Sequence, residues 1–226
     1  MAYSQIILVG KGKLAAEVWS GIELPDLFVK LEWGYADVCY EQSIIIHAGS
    51  GRELPEIIEF CAGTKSVLIE LSTGSVLEGK QYPFPIVICH NANILMLKFL
   101  QILSANGHMF SENFITVLES HQSTKESAPG TALHIAKSLG LQRDDIRSVR
   151  DQELQISLGV PLSSLERHAL HRITITDGVC DITFESRILG GGSYAPGVSK
   201  IVSAVASNLL ENRTYLVDEF VVKGWI

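Results

Sequence analysis

Residues 6–15 read Ile-Ile-Leu-Val-Gly-Lys-Gly-Lys-Leu-Ala. A four-residue apolar burst runs directly into a glycine turn, and the turn runs into a helical pattern. The spacing is G-x-G-x-x-G/A, with Ala15 in the third place. Gly10 permits a tight strand-to-helix turn, Gly12 lets the backbone approach a pyrophosphate, and Ala15 lets helix and strand pack closely. Free N–H groups at the helix start, around Leu14, carry a partial positive charge suited to phosphate. Lys11 and Lys13 add cationic character.

Further along, apolar bursts at 6–9, 27–31, 43–47, 66–70 and 85–89 predict short strands bounded by Gly, Pro or polar residues. Amphipathic stretches at 14–22, 54–62 and 94–105 predict helices between or after them. Strand and helix alternate, and the strands are apolar on both faces, which predicts a parallel sheet covered by helices: an α/β, Rossmann-type arrangement. The second half differs. A strand is expected at 114–120, a helix at 130–139, and a polar stretch at 142–151. Residues 172–176 and 179–187 alternate apolar and polar around Asp177-Gly178, a strong hairpin signal. Residues 198–210 have helical spacing, and 215–222 close the chain. The expected fold class is therefore a dinucleotide-binding α/β domain joined to an α+β domain with a mixed, largely antiparallel sheet.

Composition narrows the function classes. The 226 residues are 46% hydrophobic and 19% charged, with 18 Lys and Arg against 25 Asp and Glu. The formal charge of -7 and the absence of a long basic run argue against electrostatic capture of nucleic acid. Cys39, Cys61, Cys89 and Cys180 form no CxxC pair, so zinc clusters and redox motifs are set aside and free thiols in a reducing cytosol are expected. The apolar run at the N-terminus is too short for a signal peptide core or a membrane span. A cytoplasmic protein without metal or membrane partner is the expectation.

Two further places bear on the dinucleotide. Glu32, near the end of the second strand, stands where an acidic residue accepts from a ribose 2′-OH, although a solvated turn carboxylate is nearly as good a reading. Lys30 beside it leaves a 2′-phosphate open, so NAD and NADP are not separated. Ser72-Thr73-Gly74 follows the fourth strand, where small hydroxylated residues could touch nicotinamide or ribose; from these residues alone, a turn with a helix cap at Ser72 or Thr73 is the better reading.

The richest segment is Glu119-Ser120-His121-Gln122-Ser123-Thr124-Lys125-Glu126-Ser127-Ala128-Pro129-Gly130-Thr131-Ala132. A strand ends at a histidine, a lysine follows four residues later, and Pro-Gly-Thr opens a helix. The helix start and the Thr131 hydroxyl can receive a carboxylate, Lys125 can add a point charge, and His121 can move a proton. Capping, solvation and an ordinary hydrogen bond are the duller explanations.

This segment resembles the signature E-x-H-H-x-x-K-x-D-A-P-S-G-T-A of the dihydrodipicolinate reductase (4-hydroxy-tetrahydrodipicolinate reductase) family. The glycine turn, the Ser-Thr-Gly loop, the Asn91–93 region before Met-Leu-Lys, and Ser186-Arg187 follow in the family's order. The resemblance implies a Rossmann domain over 1–94, completed by 196–226, and a substrate-binding and oligomerisation domain over 95–195 that builds a homotetramer. It implies His121 as proton donor and Lys125 as the catalytic, carboxylate-binding lysine. Gln122, Gly130 and Thr131 would contact substrate. Gly10, Lys11, Gly12, Lys13, Leu14, Ala15, Glu32, Ser72, Thr73, Gly74, Asn91 and Asn93 would contact NADPH or NADH.

The implied reaction is reduction of 4-hydroxy-tetrahydrodipicolinate to tetrahydrodipicolinate on the diaminopimelate route to lysine, with a small dicarboxylate as substrate. There are departures. Gln122 replaces the family's second histidine, Ser127 replaces Asp, and the Ser between Pro129 and Gly130 is missing. Residues 33–43 leave little room for the usual third strand-helix unit, and Gly190-Gly191-Gly192 has no chemical reading. His168 and His171 read as polar strand or turn residues. These departures keep two alternatives open: a reductase of another cyclic imine acid, and a non-catalytic nucleotide-binding paralogue.

Overall fold

The computed structural model describes residues 3–35, 38–125 and 130–226. The chain divides into two compact units, Met1–Leu97 with Gly192–Ile226, and Lys98–Gly191.

In the first unit the Ile- and Val-rich runs form strands β1 (Gln5–Val9), β2 (Val29–Glu32), β3 (Ile44–His47), β4 (Val67–Glu70) and β5 (Ile86–Ile88). Helices α1 (Lys13–Gly21) and α2 (Leu54–Thr64) lie between them, and α3 (Ile94–Asn106) follows. Among the described residues one parallel sheet runs in the order β10-β5-β4-β3-β1-β2, where β10 is Thr214–Leu216 near the chain's end. β1, β3, β4 and β5 are buried along their whole length. Both faces are covered, so near-continuous apolar runs are what the sheet demands.

The period-two alternation of the strands divides the core into two layers. Ile6, Leu8, Ile44, Ile46 and Ile69 pack with Ala15 and Val18 of α1 and with Val198, Ile201 and Val205 of α6 (Ala195–Ser207). Ile7, Val9, Ile45 and Leu68 face Ile57, Phe60 and Cys61 of α2 on the other side. α6 comes very close: a Cβ on Gly197 would lie 1.6 Å from the Ala92 carbonyl oxygen, so only glycine allows this packing against the loop after β5.

β2 pairs with one side of β1 and β3 with the other, so the strand order reverses at β1. Residues 33–43 contain no strand among the described residues, and β2 is left as the half-exposed edge.

In the second unit, β6 (Phe114–His121), β7 (Ile146–Val149), β8 (His168–Thr176) and β9 (Asp181–Leu189) form a sheet in the order β7-β6-β8-β9. β6 and β7 are parallel, while the other pairs are antiparallel. Helix α4 (Gly130–Ser138) buries Ala132, Ile135 and Ala136, and α5 (Gln152–Ser157) is capped by the Asp151 carboxylate on the Leu154 N–H.

Several elements differ from the sequence expectation. The polar stretch 142–151 contains β7, whose residues Ile-Arg-Ser-Val bury only Val149 and so carry no alternation signal. The Asp177 carboxylate accepts from the N–H groups of Val179 and Cys180, which extends the hairpin turn and moves the second arm to Asp181–Leu189. The helix expected at 198–210 begins at Ala195, with Pro196 in its first turn, and the chain's end folds as β10 followed by α7 (Val217–Val222). Among the described residues no helix is long and apolar enough to cross a membrane.

Candidate active site

The first unit carries a cleft of about 450 Å³ at the carboxyl ends of its strands. It is lined by Leu14 after β1, Ala48 and Gly49 after β3, Leu71, Ser72 and Thr73 after β4, Cys89 to Ala92 after β5, and Tyr194 before α6. Because the strand order reverses at β1, this is the crevice where open α/β sheets receive ligands.

Its rim is shaped for a pyrophosphate. Gly10 has φ +123°, and a Cβ there would lie 2.5 Å from the Ala48 carbonyl oxygen, so no other residue fits between the two loops. Gly12 is the extended N-cap of α1; among the described residues no side chain caps it, and a Cβ on it would meet open space. The first N–H groups of α1 are therefore available to an anion. The residues present fit a nicotinamide dinucleotide.

The other expected cofactor contacts vary. Lys11 and Lys13 are exposed beside the turn, while Ala15 is buried against the sheet. Glu32 is half-buried at the end of β2. Lys30 turns to α1, donating to the Trp19 carbonyl at 2.8 Å and standing 4.6 Å over its ring. Thr73 and Gly74 are exposed. Ser72 has both its donors in use: its N–H on the Glu70 carboxylate at 2.8 Å and its hydroxyl on the Gly49 carbonyl at 2.8 Å. Asn91 lines the cleft and its side chain accepts from the Asn93 N–H. The Asn93 side chain accepts from the Met96 N–H, which makes it a cap of α3.

The second unit builds a histidine site. Glu119 and His121 are two apart on β6 and so share a face, and His171 on β8 is the cross-strand partner of Glu119. His121 Nδ1 lies 2.7 Å from Glu119 Oε2, and the rings of His121 and His171 meet edge to face at 5.6 Å. Arg150, just beyond β7, donates to both Glu119 oxygens at 3.2 and 2.7 Å. Its Nε also donates to the Lys125 carbonyl at 2.9 Å. The Gln155 side chain donates to the His121 carbonyl at 2.7 Å.

One guanidinium thus ties the turn that carries Lys125 to the carboxylate that orients His121. The Lys125 N–H closes that turn on the Gln122 carbonyl at 3.0 Å. Gly130 and Thr131 form the first turn of α4; Ser127 and the Pro129 start of the signature lie outside the described residues.

Electrostatics set the charge states. Burial alone would raise Glu119, but hydrogen bonds from His121, Arg150 and Ser148, with the Arg150 charge, outweigh it and hold the carboxyl at about 2. Desolvation, then the neighbouring His121, pushes His171 down to about 4. Desolvation also lowers His168, whose Nε2 meets the Ser120 hydroxyl at 2.9 Å on the opposite face. His168 and His171 are strand residues as expected, yet both are buried. Sequence reasoning assigned no role to Glu119, Arg150 or His171. The Glu-x-His spacing on a strand was a usable signal for the first; the other two depend on strand pairing. Among the described residues no group of three or more His, Cys, Asp or Glu is arranged to hold a metal ion.

No family model matches the chain. Relatives are found by direct comparison. Over 186 residues it is 32% identical to 4-hydroxy-tetrahydrodipicolinate reductase 1, chloroplastic, of Arabidopsis thaliana, covering 76% of this chain and 52% of that protein. The second such reductase of Arabidopsis thaliana is 30% identical over 144 residues, 57% of this chain and 41% of that protein. In sequence the chain is thus similar to curated 4-hydroxy-tetrahydrodipicolinate reductases. It spans about half the length of the first of these relatives and less of the second. In fold, the chain is similar to a dipicolinate-bound dihydrodipicolinate reductase from Paenisporosarcina sp. TG-14, with a TM-score of 0.68 and 13% identity, covering 96% of this chain and 99% of that one.

Proposed function

We propose that the chain is an oxidoreductase that uses a reduced nicotinamide dinucleotide to convert 4-hydroxy-tetrahydrodipicolinate to tetrahydrodipicolinate, on the route to lysine through diaminopimelate. The observation that carries this reading is the arrangement around Arg150: His121 oriented by Glu119, and Lys125 held on the same guanidinium, within the segment that matches the family signature. The relatives' names and the dipicolinate held by the similar structure point to the same cyclic dicarboxylate class.

When bound, the reduced nicotinamide supplies a hydride; the protein supplies positioning and a proton. The 4-hydroxyl leaves as water with a proton from the adjacent ring carbon, forming the double bond that is then reduced. Glu119 holds His121 Nδ1, which leaves Nε2 to deliver a proton to the ring carbon next to the one that takes the hydride. Lys125, with Gly130 and Thr131 at the start of α4, receives a substrate carboxylate and steadies the shifting charge. In the first unit Gly10, Gly12 and the start of α1 receive the pyrophosphate. Thr73, Gly74 and Asn91 line the nicotinamide side. Lys30 is engaged with Trp19, which leaves Glu32 to meet the ribose hydroxyls and favours NADH over NADPH.

A reductase of another cyclic imine acid is the second reading, favoured by Gln122 where the family has histidine. The expected assembly is a homotetramer, and the expected setting a reducing, cytoplasmic one that keeps the four free thiols reduced. The test follows oxidation of NADH and of NADPH with enzymatically generated 4-hydroxy-tetrahydrodipicolinate. Turnover with that substrate, faster with NADH, is the expected result. Turnover only on other cyclic imines moves the chain to the second reading, and cofactor binding without turnover on any of them refutes the reductase assignment.

A further inference from the structure

β3 reads Ile-Ile-Ile-His and β4 reads Val-Leu-Ile-Glu. Each strand is apolar until its last residue, and those two residues, His47 and Glu70, are register partners in the parallel sheet. Both side chains are fully buried, with His47 Nδ1 at 2.8 and 2.9 Å from the two Glu70 oxygens. For stability alone this is a poor choice, because a buried polar pair is often matched or surpassed by apolar residues of similar volume. Its other contacts give it a different use. Glu70 also accepts from the Ser72 N–H at 2.8 Å and from the Ser75 hydroxyl at 2.9 Å, so one carboxylate grips both ends of the loop 72–75. Ser72 then reaches across to the Gly49 carbonyl on the neighbouring loop.

The device extends under Gly49. His47 Nε2 and Glu53 Oε2 are buried and have no hydrogen-bond partner among the described residues. A Cβ on Gly49 would stand 2.9 Å from the first and 3.2 Å from the second. Gly49 therefore keeps a small polar space open between two orphaned groups, directly beneath a loop that lines the cleft.

We propose that His47 and Glu70 are positioning residues for the nicotinamide side of the cleft: they hold the loop 72–75 in the shape that receives the nicotinamide half of the cofactor. The inference rests on the cofactor reading of the cleft given above. It makes a separable claim, because the adenosine diphosphate half binds at the glycine turn and does not need this loop.

The experiment compares the full-length wild-type chain with Ser75→Ala, Glu70→Gln and Gly49→Ala. NADH and ADP are each titrated at equilibrium, and each protein's thermal unfolding is followed by circular dichroism. Ser75→Ala removes one grip from a partly exposed position and is the variant least prone to misfold. The expected result is NADH affinity reduced about tenfold in Ser75→Ala and Glu70→Gln, the size of one lost charge-assisted hydrogen bond, with ADP affinity unchanged. Gly49→Ala, which fills the polar space, should weaken NADH in the same selective way. Unchanged NADH affinity in a folded Ser75→Ala overturns the proposal, as does parallel loss of NADH and ADP binding, which would mark the pair as a general folding element. A wild-type chain that binds neither nucleotide overturns the cofactor reading itself.

Discussion

Replacing Glu119 by glutamine is the sharpest probe of the histidine site. The carboxylate has no exposed surface and accepts from His121 and, through two nitrogens, from Arg150. Its pKa falls from the ordinary 4.5 to about 2. A folded-state pKa below the unfolded one means the contribution is fully present above about pH 5 and is lost as pH falls toward 2. At 1.36 kcal/mol per unit the shift corresponds to roughly 3 kcal/mol, an upper figure because His121 and Arg150 are partly exposed.

The assay is urea denaturation of wild type and Glu119→Gln at a series of pH values from neutral to acid. Other carboxylates titrate over the same range in both proteins, so the difference between the two isolates Glu119. Glu119→Gln should be less stable by about 2–3 kcal/mol near neutrality, and the gap should shrink steadily below pH 5. A gap that stays constant down to pH 2 would refute the claim that Glu119 is an ionised anchor of the site.

Three other outcomes are expected. His121→Ala should lower turnover by roughly 10²–10⁴-fold while NADH affinity is kept, checked by steady-state kinetics and cofactor titration; wild-type turnover would remove His121 from the chemistry. Gly10→Ala should abolish measurable cofactor binding and cost at least about 2 kcal/mol in unfolding experiments, because φ is +123° and the Ala48 carbonyl is in the way. His171 is held neutral with a pKa of about 4 against 6.5, so its contribution is present above about pH 6.5 and lost as pH falls through 4. His171→Phe should flatten the loss of thermal stability across that window, and an unchanged pH slope would show that His171 is not the group responsible.

Local sequence determined a good deal. The apolar bursts, the glycine turn and the helical spacings are properties of neighbouring residues, and they were sufficient for the α/β half and the Asp-Gly hairpin. The His121–Lys125 spacing was legible for the same reason, since both lie within one continuous segment. What only the tertiary structure decided are pairings between distant strands. β7 was invisible because an edge strand in parallel pairing needs little alternation, and with it went Arg150, whose place beside Glu119 depends on a register spanning some thirty residues of chain. The meeting of His47 with Glu70, and of His171 with His121, likewise arises when sheet register sets buried polar groups side by side. A one-dimensional pattern records each residue's own preference for water or core; which partner satisfies a buried charge is settled only when the chain folds back on itself.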